Sequence, residues 1–347
     1  MKRRTLLKAV GAVGLAAPFI NARSQQVTTL RFHTFVPPRA NLWVRRLKPW
    51  MDSIEQQSDG RIKFEAYPSM QLGGSPAQLF DQARDGVVDV VWSLTGYTPG
   101  RFTRAEVFEL PFMTYDAAGA SRAAWEFGTH QAADEFKDVH LLALHTYGAC
   151  VFHTKSTPIA TVADMKGLKM RGASRIGTQM LSMLGAVPVG MPLPQIPDAL
   201  SKSVIDGVVL PWEIISSIKV DELAHYHSEF SANTPGMYTS MMVMVMNKKR
   251  YESLPADLQK VIDDNSGMNT SAEFGGMIQS FDEAARESVI KRGNKVNTIG
   301  DAEAQEFIKK SAGLADEWVD EVTKRGHDGK KLLADARALV EKYRPKA

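Results

Sequence analysis

Arg171 is the residue whose position best suits it to bind an anion. It ends a predicted strand, Leu168–Arg171, just before Gly172-Ala173-Ser174 and the start of a predicted helix. Ligands of open α/β sheets bind at the carboxyl ends of parallel strands, and helix N-termini favour anions. A guanidinium at this edge can hold a carboxylate through two parallel hydrogen bonds. On position alone, a solvated surface arginine is the simpler alternative.

The sequence lacks the short motifs typical of common enzyme active sites. It contains no Gly-x-Ser-x-Gly elbow, no His-Glu-x-x-His pair and no Gly-x-x-x-x-Gly-Lys-Ser/Thr phosphate loop. Among the histidines only His225 and His227 lie close together, and no Cys, Asp or Glu completes a metal set around them at a familiar spacing. We therefore expect no catalytic cycle, no metal site and no bound cofactor, although distant residues can also assemble a catalytic triad.

Alternating strands and helices are predicted around Arg171. Strands are predicted at Leu30–Thr34, Arg61–Tyr67, Val87–Trp92, Leu168–Arg171 and Val187–Met191. A helix that begins at Ser75-Pro76 precedes the third strand, and a helix that begins at Ser174 precedes the fifth. Strand, helix, strand units build parallel sheets. The sequence therefore predicts an α/β fold in which Arg171 lies at a sheet edge.

The two predicted units resemble each other in sequence. Residues 82–89 (QARDGVVD) and 199–206 (ALSKSVID) both run from a helix through a small residue and two β-branched residues to an aspartate. This similarity favours two related α/β lobes with a cleft between them. The length of 347 residues is also comfortable for two domains that each bury a core.

Three further segments are expected to complete the lobes. Asn41–Ser58 has helical spacing, and Pro49 is expected to kink this helix or divide it in two. Tyr238–Asn247 is predicted to be a long buried strand that crosses between the lobes, with its methionines packed in the core rather than exposed to a ligand. Ala256–Ser288 and Ala302–Lys324 carry helical periodicity.

Residues 1–24 are predicted to be an export signal. A basic start (MKRRTLLK) precedes a short apolar run, and Ala22-Arg23-Ser24 offers small residues for a signal peptidase. A membrane anchor is the less favoured alternative because the run is shorter than the roughly 20 apolar residues of a spanning helix. Arg3-Arg4 resembles a twin-arginine signal, although adjacent arginines also occur in general secretory signals. Either route predicts a periplasmic location.

Composition excludes several other classes of protein. The formal net charge of +3 includes five positive and no negative charges in residues 1–24, so the exported chain carries about −2. Nothing therefore favours nucleic-acid binding. Cys150 is the only cysteine, so no intramolecular disulfide can form, and its apolar neighbours favour a buried small side chain over a nucleophile.

The sequence resembles the solute-binding proteins of tripartite ATP-independent periplasmic (TRAP) transporters, the DctP-like family. The resemblance covers roughly residues 30–330. Its motifs are TVADMKGLKMR (161–171), LGAVPV (184–189), IDG (205–207), SMQLGG (69–74), ELPF (109–112), MNK (246–248) and LP (254–255). The resemblance implies two α/β lobes joined by a hinge and bridged by a long helix. It also implies closure around an organic acid, delivery to TRAP membrane subunits, and pairing of Arg171 with the acid's carboxylate.

The chain departs from the family pattern at two positions. Leu210 stands before Pro211 where asparagine is common, and Gln195 stands where glutamate is common. Both changes remove polarity, which predicts a pocket for a monocarboxylate with an apolar or aromatic body rather than for a small dicarboxylate. The predicted ligand-binding residues are Arg171, Trp212, Trp92, Tyr97, Tyr147, Gln71, Arg175, Leu210 and Tyr238. For each aromatic residue core packing is an equal alternative, and Arg175 can offer a second cation or face solvent.

The sequence thus predicts a two-lobed periplasmic binding protein with a hinge and a ligand cleft, present as a monomer. Residues 25–148 with 237–276 are assigned to lobe I, and 149–236 with 277–330 to lobe II, followed by a C-terminal helix or tail over 331–347. Two alternatives stay open: a protein that presents its ligand to a membrane sensor kinase, and an envelope enzyme that acts on an organic acid.

Overall fold

Two β-sheets form the framework of the protein. The computed structural model describes residues 27–345, so the predicted export signal lies outside the described residues. The strands are β1 Thr28–Thr34, β2 Ile62–Tyr67, β3 Val90–Leu94, β4 Val139–His145, β5 Val151–Thr154, β6 Lys169–Gly172, β7 Val187–Gly190, β8 Gly207–Leu210, β9 Tyr226–Phe230, β10 Met242–Asn247 and β11 Lys295–Ile299. The first sheet has the order β2-β1-β3-β10-β4, and the second has the order β11-β9-β5-β8-β6-β7.

Each sheet contains a strand that runs against its neighbours. β10 is antiparallel to β3 and β4, and β5 is antiparallel to β8 and β9, whereas the other pairings are parallel. Both strands follow a crossing of the chain from one sheet to the other. The two-lobed α/β fold predicted from the sequence is therefore confirmed.

Two of the segments in which the chain crosses between the sheets lie against each other and form the hinge. They are residues 146–150, between β4 and β5, and residues 231–241, between β9 and β10. The backbone N–H of Cys150 donates to the carbonyl of Tyr238 at 2.8 Å, and the N–H of Tyr147 donates to the hydroxyl of Thr239 at 3.3 Å. These crossings support the lobe boundaries at 148/149 and 236/237, which stay a proposal.

Helices cover both sheets. They are α1 Lys48–Gln57, α2 Leu79–Arg84, α3 Ala117–His130, α4 Arg175–Met183, α5 Ile196–Ser201, α6 Trp212–Ile215, α7 Val220–Leu223, α8 Lys248–Glu252, α9 Ala256–Asp264, α10 Gly267–Gln279, α11 Asp282–Lys291, α12 Asp301–Ser311, α13 Gly313–Lys324 and α14 Gly329–Tyr343. α10 packs on α3 and β4 of the first lobe, and α11 packs on α6 of the second. The long bridging helix that the resemblance implies is thus divided between α10 and α11.

Pro49 divides the first helical segment as its chemistry requires. Residues Trp43–Leu47 form a wide π-helical turn, and α1 begins at Lys48 with Pro49 in its first turn. Leu47 and Lys48 both keep helical dihedral angles, and the N–H of Lys48 donates to the carbonyl of Trp43, five residues back. The wide turn therefore accommodates the proline, which has no N–H to donate, inside a continuous helical segment. The regular α-helix is interrupted at the proline, as expected.

Residues 82–89 and 199–206, which are similar in sequence, form the same kind of turn, and each turn ends in an aspartate that binds the backbone of a neighbouring strand. Asp89 accepts a hydrogen bond from the backbone N–H of Arg31 in β1 at 2.7 Å, and Asp206 accepts one from Lys169 in β6 at 2.9 Å. In both turns a residue with positive φ, Gly86 or Ser203, precedes the aspartate. Each aspartate therefore fixes its own strand beside its neighbour in the sheet.

Candidate functional site

A largely apolar cavity lies where the carboxyl ends of strands from both sheets meet. The space between the atoms there is about 470 Å³ including the part open to solvent, and about 40 Å³ of it can hold the centres of water-sized atoms. On the side of the first sheet its walls are Phe35, Val36, Leu42, Trp92, Leu94, Tyr97, Tyr147 and Met242. On the other side they are Arg171, Ala173, Leu193, Leu210, Pro211, Glu213 and Ile214, and Ile278 comes from α10.

Arg171 is the cationic residue in the wall of this cavity. It lies near the carboxyl end of β6 and is only 1% exposed. Its Nε donates to the carbonyl of Met191 at 3.0 Å, which fixes the plane of the guanidinium. Within residues 27–345 no aspartate or glutamate forms an ion pair with Arg171. An arginine buried without a counter-ion is costly, so this one is suited to bind an anion that enters the cavity.

The aromatic residues in the wall satisfy their polar atoms within the protein. The indole N–H of Trp92 donates to Nε2 of His145 at 2.9 Å, and the hydroxyl of Tyr147 donates to Ser240 at 2.7 Å. The hydroxyl of Tyr97 accepts from the backbone N–H of Leu193 at 2.9 Å. Burial raises the pKa of both tyrosines, so they stay neutral. The cavity therefore presents ring surfaces beside a single guanidinium.

Five of the predicted ligand-binding residues meet in this cavity: Arg171, Trp92, Tyr97, Tyr147 and Leu210. Leu210 ends β8, where the family often has asparagine, and it adds apolar surface to the wall. Contact between these five side chains and a ligand stays a prediction. The methionines of β10 are buried as expected, and Met242 also reaches the cavity wall.

Trp212 lies outside the cavity, in contrast to the prediction. Its indole N–H donates to Glu229 at 3.1 Å, and its ring packs on the imidazoles of His153 and His227. The next residue, Glu213, lines the cavity instead. Successive residues of a helix point about 100° apart, so the turn that carries Trp212 into the core directs Glu213 into the cavity.

Arg175 and Gln71 also lie outside the cavity. Arg175 pairs with Glu106 of the other lobe, and it pairs with Glu321 of α13 at 2.6 Å. Burial raises the pKa of Glu106 to about 7 even though Arg175 opposes the shift. Gln71 is exposed on the loop after β2. Arg175 therefore bridges the lobes rather than offering a second cation to a ligand.

Tyr238 is the fourth predicted residue that the structure places elsewhere. It is 1% exposed, and its hydroxyl lies 2.8 Å from that of Ser174 and 3.0 Å from that of Ser240. It also donates to the buried carboxylate of Glu109 at 3.1 Å. Ser174 caps the N-terminus of α4 in the second lobe, whereas Glu109 belongs to the first lobe. Tyr238 therefore connects the lobes beside the hinge.

Contacts across the cleft show that the two lobes are closed against each other. The N–H of Leu193 reaches the hydroxyl of Tyr97, and Nε of Arg39 donates to the carbonyl of Ser217 at 2.6 Å. Gly96 lies so near Ser174 that a β-carbon on this glycine would come within 2.5 Å of the serine Cβ. The cavity is thus enclosed by residues from both lobes.

Glu213 is a site residue that sequence reasoning missed. It is 7% exposed, and its Oε2 has no hydrogen-bond partner among residues 27–345. Burial raises its pKa to about 8, and the nearby carboxylate of Asp282 adds to the shift. The available signal was an acidic residue placed three positions after a strand that ends at the sheet edge.

Metal-binding clusters and membrane-spanning helices are both absent from residues 27–345. Residues 27–345 contain no group of three or more His, Cys, Asp or Glu side chains arranged to hold a metal ion. His227 instead lies 2.7 Å from His153, measured between their Nδ1 atoms, and burial lowers the pKa of His227 to about 4. Within the same residues, no helix combines the length and the apolar character that a membrane crossing needs.

Known proteins resemble this chain closely. A TRAP solute-binding protein from Rhodoferax ferrireducens T118, solved with copurified benzoate, is 54% identical with a TM-score of 0.91, over 91% of this chain and 98% of that one. A marine metagenome TRAP solute-binding protein specific for aromatic acids, solved with 3-hydroxybenzoate, is 42% identical with a TM-score of 0.90, over 92% and 100%. One from Bordetella bronchiseptica, with bound mandelate, is 29% identical with a TM-score of 0.84, over 91% and 100%.

The family assignment rests on a match to a family model as well as on the fold. The family model for bacterial extracellular solute-binding proteins, family 7, matches residues 33–321, which is most of the chain. The predicted periplasmic location is confirmed by this family, whose members are extracytoplasmic. The chain therefore belongs to family 7 of the bacterial extracellular solute-binding proteins, the TRAP-type binding proteins that its sequence resembles.

Proposed function

We propose that the protein captures an aromatic monocarboxylate in the periplasm and delivers it to TRAP membrane subunits. The observation that carries this proposal is Arg171, a buried guanidinium without an acidic partner in residues 27–345, set in a cavity with aromatic and aliphatic walls. A carboxylate supplies the missing counter-charge, and an apolar body fills the rest of the cavity. Burial of that body supplies about 25 cal/mol for each Å² removed from water.

The orientation of Arg171 favours a two-point grip on the carboxylate. Its Nε is already used by the carbonyl of Met191. The two terminal nitrogens are then left to meet two carboxylate oxygens, which is the strongest geometry for this pair. The walls around the pair are apolar, so little water competes with it.

The cavity suits one carboxylate better than two. Arg171 is the only cationic residue in the cavity wall as the described chain forms it, because Arg175 is held by Glu106 and Glu321. A second carboxylate in the ligand would stay buried without a cation, which is costly. The ligands named for the related proteins, benzoate, 3-hydroxybenzoate and mandelate, are all monocarboxylates with an aromatic ring, and they support this choice.

Capture requires that the lobes separate and close again. The enclosed cavity has to open about the crossing segments at residues 146–150 and 231–241 before a ligand can enter. A ligand that touches both lobes binds the closed form better than the open one, and it therefore shifts the equilibrium towards closure. The closed form, with its own surface, is what the membrane subunits recognise.

The protein returns its ligand unchanged. Its family consists of solute-binding proteins rather than enzymes. Cys150, the one thiol, is buried, and burial raises its pKa well above the usual range, so it is no nucleophile. Presentation of the ligand to a sensor kinase would use the same closed form, and loss of uptake after deletion of the membrane subunits separates the two roles.

The proposal is tested by thermal unfolding of the exported chain, residues 25–347, against a panel of organic acids. A ligand at 100 times its dissociation constant adds about 2.7 kcal/mol of stability, which raises the melting temperature by several degrees. We expect aromatic monocarboxylates to do this and C4-dicarboxylates to have no effect. A response to dicarboxylates alone, or altered ligand in the mass spectrum after long incubation, would contradict the proposal.

A further inference from the structure

The cavity contains a second ionisable group, Glu213, for which the capture of a simple aromatic acid has no use. The residue lies on α6, directly after Pro211 and Trp212, and is 7% exposed. Its Oε2 is buried and has no hydrogen-bond partner among the described residues. Buried side-chain oxygens normally have a partner, so an unpaired one in a ligand cavity indicates that the ligand supplies it.

Glu213 does not act as the counter-ion of Arg171. No ion pair joins the two residues, and the charged group that shifts the pKa of Glu213 is the carboxylate of Asp282, not the guanidinium. The positive charge of Arg171 instead acts on Tyr97 and Cys150. Burial raises the pKa of both groups, and Arg171 partly offsets that rise. The cation and the acid therefore occupy separate parts of the wall.

The surroundings of Glu213 favour the protonated form of its carboxyl group at neutral pH. Burial raises its pKa to about 8, and Asp282 contributes because two carboxylates close together cannot both ionise easily. Asp282 accepts a hydrogen bond from the backbone N–H of Glu213 at 3.0 Å, so the two acids are held together by the main chain and not through the side chain of Glu213. Burial raises the pKa of Asp282 to about 7.

A protonated carboxyl group offers both a donor and an acceptor. Its O–H donates, and its carbonyl oxygen accepts. A ligand hydroxyl has the same two capacities, so one hydroxyl can satisfy both. A ligand with a bare ring would cover Glu213 and leave it unpaired, which lowers affinity by about 5- to 150-fold. Sites that hydrogen-bond a hydroxyl reject analogues that lack it for the same reason.

We propose that Glu213 hydrogen-bonds a hydroxyl substituent on the body of the ligand and makes the protein selective for hydroxylated aromatic acids. This inference rests on the proposed function, since it assumes a carboxylate held at Arg171. It adds the second point of recognition, which fixes how the ring is turned inside the cavity.

The test compares benzoate with its 2-, 3- and 4-hydroxy derivatives and with 3-hydroxyphenylacetate by isothermal calorimetry. The wild-type protein should bind the best hydroxylated acid at least about tenfold more tightly than benzoate. E213L should lose this preference, because leucine removes both the donor and the acceptor. E213Q should keep most of it, since an amide also donates and accepts. E283Q serves as the matched control, because it removes an exposed carboxylate outside the cavity and should leave the preference unchanged.

The outcomes separate this inference from the proposed function. If benzoate binds as tightly as every hydroxylated acid, or if E213L keeps the wild-type preference, the role of Glu213 is wrong and the proposed function stands. If no aromatic acid binds, both fall together. A crystal structure of the wild-type complex decides the matter independently of how the variants fold: the ligand hydroxyl should lie about 2.5–3.0 Å from a carboxyl oxygen of Glu213, and a longer separation overturns the inference.

Discussion

Two buried arginines of this protein have opposite surroundings. Arg104 is 7% exposed, pairs with Asp134 at 2.5 Å and Glu135 at 3.4 Å, and donates to the carbonyl of Gln131. Arg171 is 1% exposed and has a carbonyl but no acidic partner within the described chain. The first cluster is complete as the protein folds. Under the proposed function the ligand supplies the missing partner of the second, and the comparison then sets a charge that stabilises the fold against a charge that serves binding.

The largest effect is expected from removing the arginine of the complete cluster. R104M should lower the free energy of unfolding by about 3–5 kcal/mol, because it leaves the carboxylate of Glu135 buried without its cation. Urea denaturation measures the change. The folded fraction should bind its ligand with wild-type affinity. A loss below about 1 kcal/mol would show that the Arg104 cluster is not a structural centre.

Removing the arginine of the incomplete site should have the reverse pattern. R171M should weaken ligand binding by at least about thirtyfold, since a buried charge-assisted pair loses one partner. The ligand-free protein should be as stable as the wild type or more so, because an unpaired buried charge has gone. R171K is the control: it keeps the charge but loses the two-point grip, and should give an intermediate affinity. Unchanged affinity of R171M in calorimetry would rule out the predicted role of Arg171.

The smallest effect is expected in how the free energy of unfolding depends on pH. Burial raises the pKa of Glu213 to about 8 and of Asp282 to about 7, so the folded state holds protons that the unfolded chain releases near pH 4. The stability contributed by these protons is present at low pH and is lost as pH rises towards 8, since the unfolded state then binds fewer protons.

The free energy of unfolding of the ligand-free protein should therefore fall between pH 5 and pH 9. E213Q should remove a clear part of this fall, because its amide does not titrate. E283Q is the matched control, since Glu283 lies beside Asp282 but is 73% exposed, and it should keep the wild-type slope. Stability that rises over this range, or an equal slope in E213Q, would contradict protonation of Glu213.

The sequence predicted most of the features that depend on local patterns. The strand edge at Arg171, the interruption at Pro49 and the buried methionines of β10 follow from periodicity and from the chemistry of single residues. The related turns around Asp89 and Asp206 were visible as a repeated pattern. Membership of the TRAP-type family followed from motifs spread along the chain, and the family match confirms it.

The predicted site residues that lie outside the cavity show that spacing does not specify the direction of a side chain. Trp212 and Glu213 are neighbours, and a large apolar residue is the natural choice for a cavity wall, yet the tryptophan packs on His153 and His227. Arg175 lies four residues after Arg171, but it forms ion pairs with Glu106 and Glu321, and both of these come from distant parts of the chain. Such partners are known only once the lobes are placed against each other.

The position of β10 has a consequence for how the chain folds. This strand lies between β3 and β4 in the first sheet, although five of the six strands of the second sheet, β5 to β9, precede it in the sequence. The N-terminal lobe therefore cannot complete its sheet as it is synthesised, and β3 and β4 keep unpaired edges until residue 247 is available. Exposed strand edges favour aggregation, and late, non-local pairing slows folding. The N-terminal half of the protein thus presents these strand edges until β10 has been synthesised and can pair with them.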